Sequence, residues 1–159
     1  MNIYKNFLPN DVFKKLKDNV MGDHFPWYFN DFINKKEDGF QFTFTFIKKG
    51  KEECWGKWLD IIKLVLKNIK HKKINGVKAN LLTRTDKIIE HGMHIDQEKG
   101  TTGILYLDNS NGHTKFKNGK IVKSEENKYV EFDSTLEHTG STCTDKMRRV
   151  VINFNYEYI

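Results

Sequence analysis

The tripeptide His94-Ile95-Asp96 sets an imidazole and a carboxylate two positions apart. Residues i and i+2 of an extended backbone leave the same side, so both can face one metal ion. Alone the motif is weak, because His-x-Asp arises readily by chance. Its context adds to it. His138 follows after a run of predicted strands, and a sheet that doubles back can return it to the same mouth. Two imidazoles and one carboxylate on one face suit Fe(II) and leave coordination positions open for other reactants. Arg148 and Arg149 then open the apolar run Val150-Val151-Ile152. A guanidinium offers paired donors to a carboxylate and stays charged when buried. Strand neighbours face opposite sides, so only one of the two arginines can point inward with the metal ligands.

Other chemically capable residues carry plainer readings. His91 precedes His94 by three, a zinc-type spacing on a helix, but the intervening Gly92 disfavours a helix and leaves His91 a rim residue. His24, His71 and His113 read as solvent-exposed. Cys54 and Cys143 have no nearby base in sequence, which argues against nucleophilic catalysis, and two cysteines make no disulfide framework. The aromatic run Phe25-Pro26-Trp27-Tyr28-Phe29 reads first as core and second as the wall of a substrate mouth.

The elements that must position these groups are mostly strands. A first helix is expected from about Asn10 to Met21, with Val12, Phe13, Leu16 and Val20 on one face and Gly22 ending it. Gln41-Phe42-Thr43-Phe44-Thr45-Phe46 alternates strictly and predicts a half-buried strand. From Glu53 to Ile69, Trp55, Trp58, Leu59, Ile62, Val65, Leu66 and Ile69 make the stripe of a second helix lying on a sheet. From Gly76 onward the period becomes two, with strands expected at 77–81, 87–90, 103–107, 114–117, 121–123, 128–132 and 148–156. Asn118-Gly119 predicts a two-residue type I′ hairpin. The fold class is therefore mainly β with flanking helices: a jelly roll, or double-stranded β-helix, with two helices from the first half packed on one sheet. One domain over 1–159 is expected, with helical support in 1–75 and the core jelly roll in 76–159.

The chain has 159 residues and a formal net charge of +6, mostly from lysines scattered along its length rather than gathered into a basic stripe. That scatter weighs against a dedicated nucleic-acid surface. The first residues lack a basic region followed by an apolar core, and no apolar run is long enough to span a bilayer, so no membrane partner is expected and the expected compartment is cytoplasmic.

The order His94-x-Asp96, Ile104-Leu105-Tyr106-Leu107-Asp108, Glu137-His138-Thr139-Gly140, then Arg148-Arg149 opening the last strand resembles the Fe(II)/2-oxoglutarate-dependent dioxygenase superfamily, particularly its compact prolyl-hydroxylase-like branch. The likeness covers roughly 76–156, and Phe25-Pro26-Trp27-Tyr28 also resembles a segment of small, virus-encoded members. The resemblance implies Fe(II), 2-oxoglutarate and O2, with His94, Asp96 and His138 on the metal. It implies that Arg149, or else Arg148, anchors the distal carboxylate of 2-oxoglutarate, helped by Tyr106. The frequent Arg-x-Ser-aliphatic pattern aligns best on Arg149-Val150-Val151-Ile152, so the helping hydroxyl of many relatives is here replaced by Val151. The retained Asp96 favours hydroxylation over halogenation.

The substrate implied is a protein or peptide side chain or a small metabolite, hydroxylated as 2-oxoglutarate is converted to succinate and CO2. The alternatives are oxidative demethylation of nucleic-acid bases by the same chemistry and a cupin-like jelly roll that binds metal or sugar without turnover. A passive cupin has no need of Arg149 or Tyr106 facing the metal.

Overall fold

The computed structural model describes residues 1–159. Its elements in chain order are β1 (Asn2–Tyr4), α1 (Asn10–Val20), β2 (Tyr28–Asn30), a 3-10 turn at Lys36–Asp38, β3 (Gln41–Lys48), β4 (Lys51–Glu52), α2 (Lys57–Leu66), β5 (Lys73–Thr83), β6 (Thr101–Tyr106), β7 (His113–Phe116), β8 (Ile121–Lys123), β9 (Tyr129–Asp133), β10 (His138–Gly140) and β11 (Arg148–Glu157). Neither helix is long and apolar enough to cross a membrane.

A major sheet runs in the order β1-β9-β6-β11-β5-β3-β2, with β4 attached to β3, and a minor sheet runs β10-β7-β8. All pairings are antiparallel. This is the jelly-roll architecture that the alternating pattern predicts. The first half is less purely helical than its pattern suggests. It contributes β1 to one edge of the major sheet and β2 and β3 to the other, because the alternating Phe and Thr of β3 pair along β5.

Period-two alternation divides the major sheet into an apolar back and a polar front. Val77, Ala79 and Leu81 of β5, Leu105 of β6, and Val150, Ile152, Phe154 and Tyr156 of β11 share one core with the helices. Leu16 and Val20 of α1 and Ile61, Ile62, Val65 and Leu66 of α2 are the buried helical contribution. Removing this much apolar surface from water is what holds the helices on the sheet. The intervening residues of the same strands face the minor sheet across a cavity of about 970 Å³.

Several local expectations are corrected. The second helix begins at Lys57, not Glu53, since Gly56 at φ 59° turns the chain before it. Trp55 therefore lies outside the stripe and is 83% exposed, whereas Trp58 packs against Phe25. Residues 87–90 form no strand. Ile88 and Ile89 are exposed, and the segment makes only an isolated bridge, Glu90 to Ser141. The β7–β8 turn has positive φ at Gly119 alone, with Asn118 Oδ1 accepting from the Lys120 amide, so it is not the expected type I′ turn. His113 is half-buried and paired with Glu90 at 2.9 Å.

Candidate active site

The segment before β6 runs antiparallel to β10, and His94 and His138 face each other across an isolated bridge. Each donates its amide to the other's carbonyl at 3.0 Å. The ring centroids are 4.6 Å apart. Asp96 extends from the same side as His94, with its Oδ1 3.4 Å from His94 Nε2 and 3.7 Å from His138 Nε2. The three ligand atoms all lie within 4.8 Å of one another. Ligand bonds of about 2.1 Å at right angles put neighbouring donors about 3 Å apart, so an ion fits with only a small contraction of the cluster.

The outer contacts favour this role. His138 Nδ1 lies 3.0 Å from the Leu136 carbonyl and His94 Nδ1 lies 3.3 Å from the Gly92 carbonyl. A proton on His138 Nδ1 leaves its Nε2 lone pair directed at the cluster centre, the orientation a metal requires, whereas His94 Nδ1 also lies 3.0 Å from the donor Asn34 Nδ2. The Thr102 hydroxyl donates to Asp96 Oδ2 at 3.0 Å. Burial would push the Asp96 carboxyl up, but His94, His138 and Thr102 together hold it below the usual carboxylate range. Burial pushes the His138 ring down despite Asp96, keeping it neutral. For His94 the carboxylate overcomes burial and the ring lies above its ordinary value.

Arg148 and Arg149 separate cleanly. Arg148 turns to the outer face and donates to the Met21 carbonyl at 2.6 Å, at the end of α1. Arg149 is 3% exposed and lines the cavity. It donates through Nε to Ser124 Oγ at 2.8 Å and through Nη2 to Thr114 Oγ1 at 3.3 Å. No ion pair of the chain includes it. A buried guanidinium with uncommitted donors and no carboxylate partner is what the far end of a dicarboxylate needs. Burial pushes its pKa down, and Tyr106 and Asp108 oppose that shift. Tyr106 is fully buried. Its ring lies 5.6 Å from the Arg149 guanidinium carbon and its hydroxyl donates to Thr114 at 2.8 Å.

Thr114 thus accepts from both Tyr106 and Arg149 and, with Ser124, brings to Arg149 the hydroxyls that Val151 lacks. Sequence reasoning missed both, because they come from β7 and the turn after β8 and no local pattern marks a hydroxyl that will face a distant arginine. It also missed Gly112. A Cβ there would stand 2.5 Å from Arg149 Cδ, so glycine makes room for the side chain. His91 lines the cavity beside Gly140, whose carbonyl accepts its amide at 3.2 Å, and both of its ring nitrogens are buried without partners. Phe25 and Trp27 join or pack on the core, whereas Phe29 is exposed and lines the cavity with Phe32 and Ile33. The aromatic run is therefore divided, with Phe25 and Trp27 on the core side and Phe29 on the cavity wall.

No protein-family model matches the chain, and no curated protein sequence matches it. Solved structures do. A 2OG-Fe(II) oxygenase-family oxidoreductase from Burkholderia pseudomallei superposes with a TM-score of 0.73 at 9% identity, covering 96% of this chain and 82% of its own. A prolyl-4-hydroxylase from Pseudomonas putida gives 0.66 at 14% identity, covering 99% and 92%. A prolyl hydroxylase from Trichoplax adhaerens, solved with a hypoxia inducible factor peptide, gives 0.65 at 14% identity, covering 98% and 83%. With its helix-backed jelly roll, the chain has the fold of the 2OG-Fe(II) oxygenases.

Proposed function

We propose that the chain is an Fe(II)- and 2-oxoglutarate-dependent dioxygenase that hydroxylates a peptide side chain or a small molecule. One observation carries this reading: a His–Asp–His cluster and a buried arginine without a carboxylate partner share one cavity. His94, Asp96 and His138 would hold the metal, and Arg149, with Tyr106 and Thr114 around it, would take the far carboxylate of 2-oxoglutarate. Bound iron and 2-oxoglutarate supply the oxidising power, with O2 consumed and succinate and CO2 released. The chain's own residues would orient the co-substrate, burial would hold the His138 imidazole neutral, and His94, His138 and Thr102 would keep the Asp96 carboxylate charged. The Trichoplax protein, similar in fold, is bound to a peptide, and the exposed Phe29 and Phe32 beside the cavity suit an extended substrate.

Mixing the protein anaerobically with Fe(II) and 2-oxoglutarate should produce a weak visible charge-transfer band that His138→Ala abolishes. Succinate release on admitting air should follow. A protein that binds metal yet gives no spectral response to 2-oxoglutarate would instead be the passive cupin-like module.

A further inference from the structure

Beyond the metal cluster, the cavity has a second chemical feature. Thr45 of β3, Lys78 of β5, Asn153 of β11 and Ile104 of β6 form one cross-strand row, and all four line the cavity. Asn80 and Thr43 follow in the next row. Core strands ordinarily close such positions with apolar side chains. Here a lysine and two asparagines occupy them. Lys78 makes no ion pair and no side-chain hydrogen bond. Asn153 Oδ1 is buried without a partner. Lys48 and Lys49 also line the cavity, while its only carboxylates are Asp31 and Asp96, and Asp96 is the one turned to the two imidazoles.

Surrounding protein pushes the Lys78 ammonium down, an effect the Asp96 carboxylate opposes. The Lys78 side chain lines the cavity and is exposed there. An uncharged substrate filling this space would strip water from Lys78 and return no counter-charge. A carboxylate would meet a charged donor at Lys78, with amide donors from Asn80 and Asn153 beside it. The far end of 2-oxoglutarate has Arg149, so this would be a second anion site.

Resting on the oxygenase reading above, we propose that Lys78, with Asn80 and Asn153, binds a carboxylate of the primary substrate. The substrate is then a small acid, or a peptide presenting an acidic side chain or its own terminus. A polynucleotide fits less well. Its phosphates lie outside a pocket that receives a base, whereas the cation here lies within the cavity, where an anionic group of the substrate itself would have to reach it.

The test uses the full chain loaded with Zn(II), which is redox-inert, and saturating 2-oxoglutarate. Ligand-observed NMR then compares N-acetyl amino acids with the same compounds as carboxamides. The acids should bind and the amides should not, and Lys78→Met should weaken acid binding about tenfold or more with 2-oxoglutarate binding unchanged. Lys78→Arg should retain much of the binding, and Asn153→Ala should lose part of it, giving a second readout if one variant folds poorly. Equal binding of acids and amides, or no acid binding by wild type, would overturn the proposal. So would a Lys78→Met variant that loses 2-oxoglutarate instead, or salt-sensitive binding of oligo-dT that this variant abolishes. Failure of the oxygenase reading is separately visible, as absent 2-oxoglutarate binding before any acid is added; the acid titration on that sample still decides the role of Lys78.

Discussion

Arg148 and Arg149 are joined by one peptide bond and serve opposite faces of β11, one reaching the Met21 carbonyl at the end of α1 and the other the hydroxyls of Thr114 and Ser124 inside the cavity. Their substitutions should therefore separate. Arg149→Met should raise the Kd for 2-oxoglutarate by roughly ten- to a hundredfold, the scale of charge-assisted hydrogen bonds worth about 1.5–3 kcal/mol, and Arg149→Lys should recover only part. Arg148→Ala should leave that Kd unchanged and cost about 1 kcal/mol of stability. Calorimetric titration and thermal melts of both variants check the contrast.

Gly112 predicts a steric route to the same loss. A methyl group there meets Arg149 Cδ at 2.5 Å and the Thr142 carbonyl at 2.8 Å. Gly112→Ala should destabilise the fold by about 1–3 kcal/mol and weaken 2-oxoglutarate binding while metal affinity stays near wild type. Equal 2-oxoglutarate affinity in the variant would mean that Arg149 need not hold its present position.

Metal affinity should depend on pH with a definite sign. The ligand imidazoles must be neutral to bind. His138 is held neutral by burial, whereas His94 lies above the ordinary imidazole value of about 6.5 because of Asp96. Protons on His94 should therefore compete first, so Co(II) affinity should fall as pH drops through and somewhat above about 6.5, with net proton release on binding. Asp96, whose pKa is lowered, stays ionised across that range. A flat affinity from pH 8 to pH 6 would contradict the assignment of His94 as a ligand.

How much of this was legible from residues alone follows from how local each signal is. His94 and Asp96 are two apart on an extended segment and could be read directly, whereas strand alternation says only that one of the two arginines points inward, and the preference for Arg149 came from the family pattern. The return of His138 needed the architecture as well, which the regular strand spacing supplied. Thr114, Ser124 and Gly112 were invisible because their meaning lies in which distant side chain they face. Ile88 and Ile89 looked like strand residues, yet Glu90 beside them is drawn to His113 and Lys115 and the ladder stops at a bridge. β1 went unseen because Asn2-Ile3-Tyr4 is short and exposed, and its partner strand β9 lies far along the chain.

Asn127 offers a stability test remote from the cavity. Its side chain accepts from the Leu8 amide and donates to the Leu8 carbonyl, both at 2.9 Å, while its own φ is 56°. Asn127→Ala should cost about 2–4 kcal/mol, from two orphaned backbone groups and a backbone conformation that alanine resists. A chemical denaturation curve measures it. Asn127→Gly, which relieves only the backbone, should recover a minority of the loss.

The two-sidedness of β11 reaches beyond any single residue. Moving along Arg149 to Tyr156, successive side chains alternate between facing the cavity and facing the helices. A saturation scan of this strand should therefore oscillate, with folding yield lost at the even numbers and turnover lost at the odd ones. Under the proposed function, substitutions at the odd positions would change what the cavity accepts while the helix-facing core of the same strand stays intact.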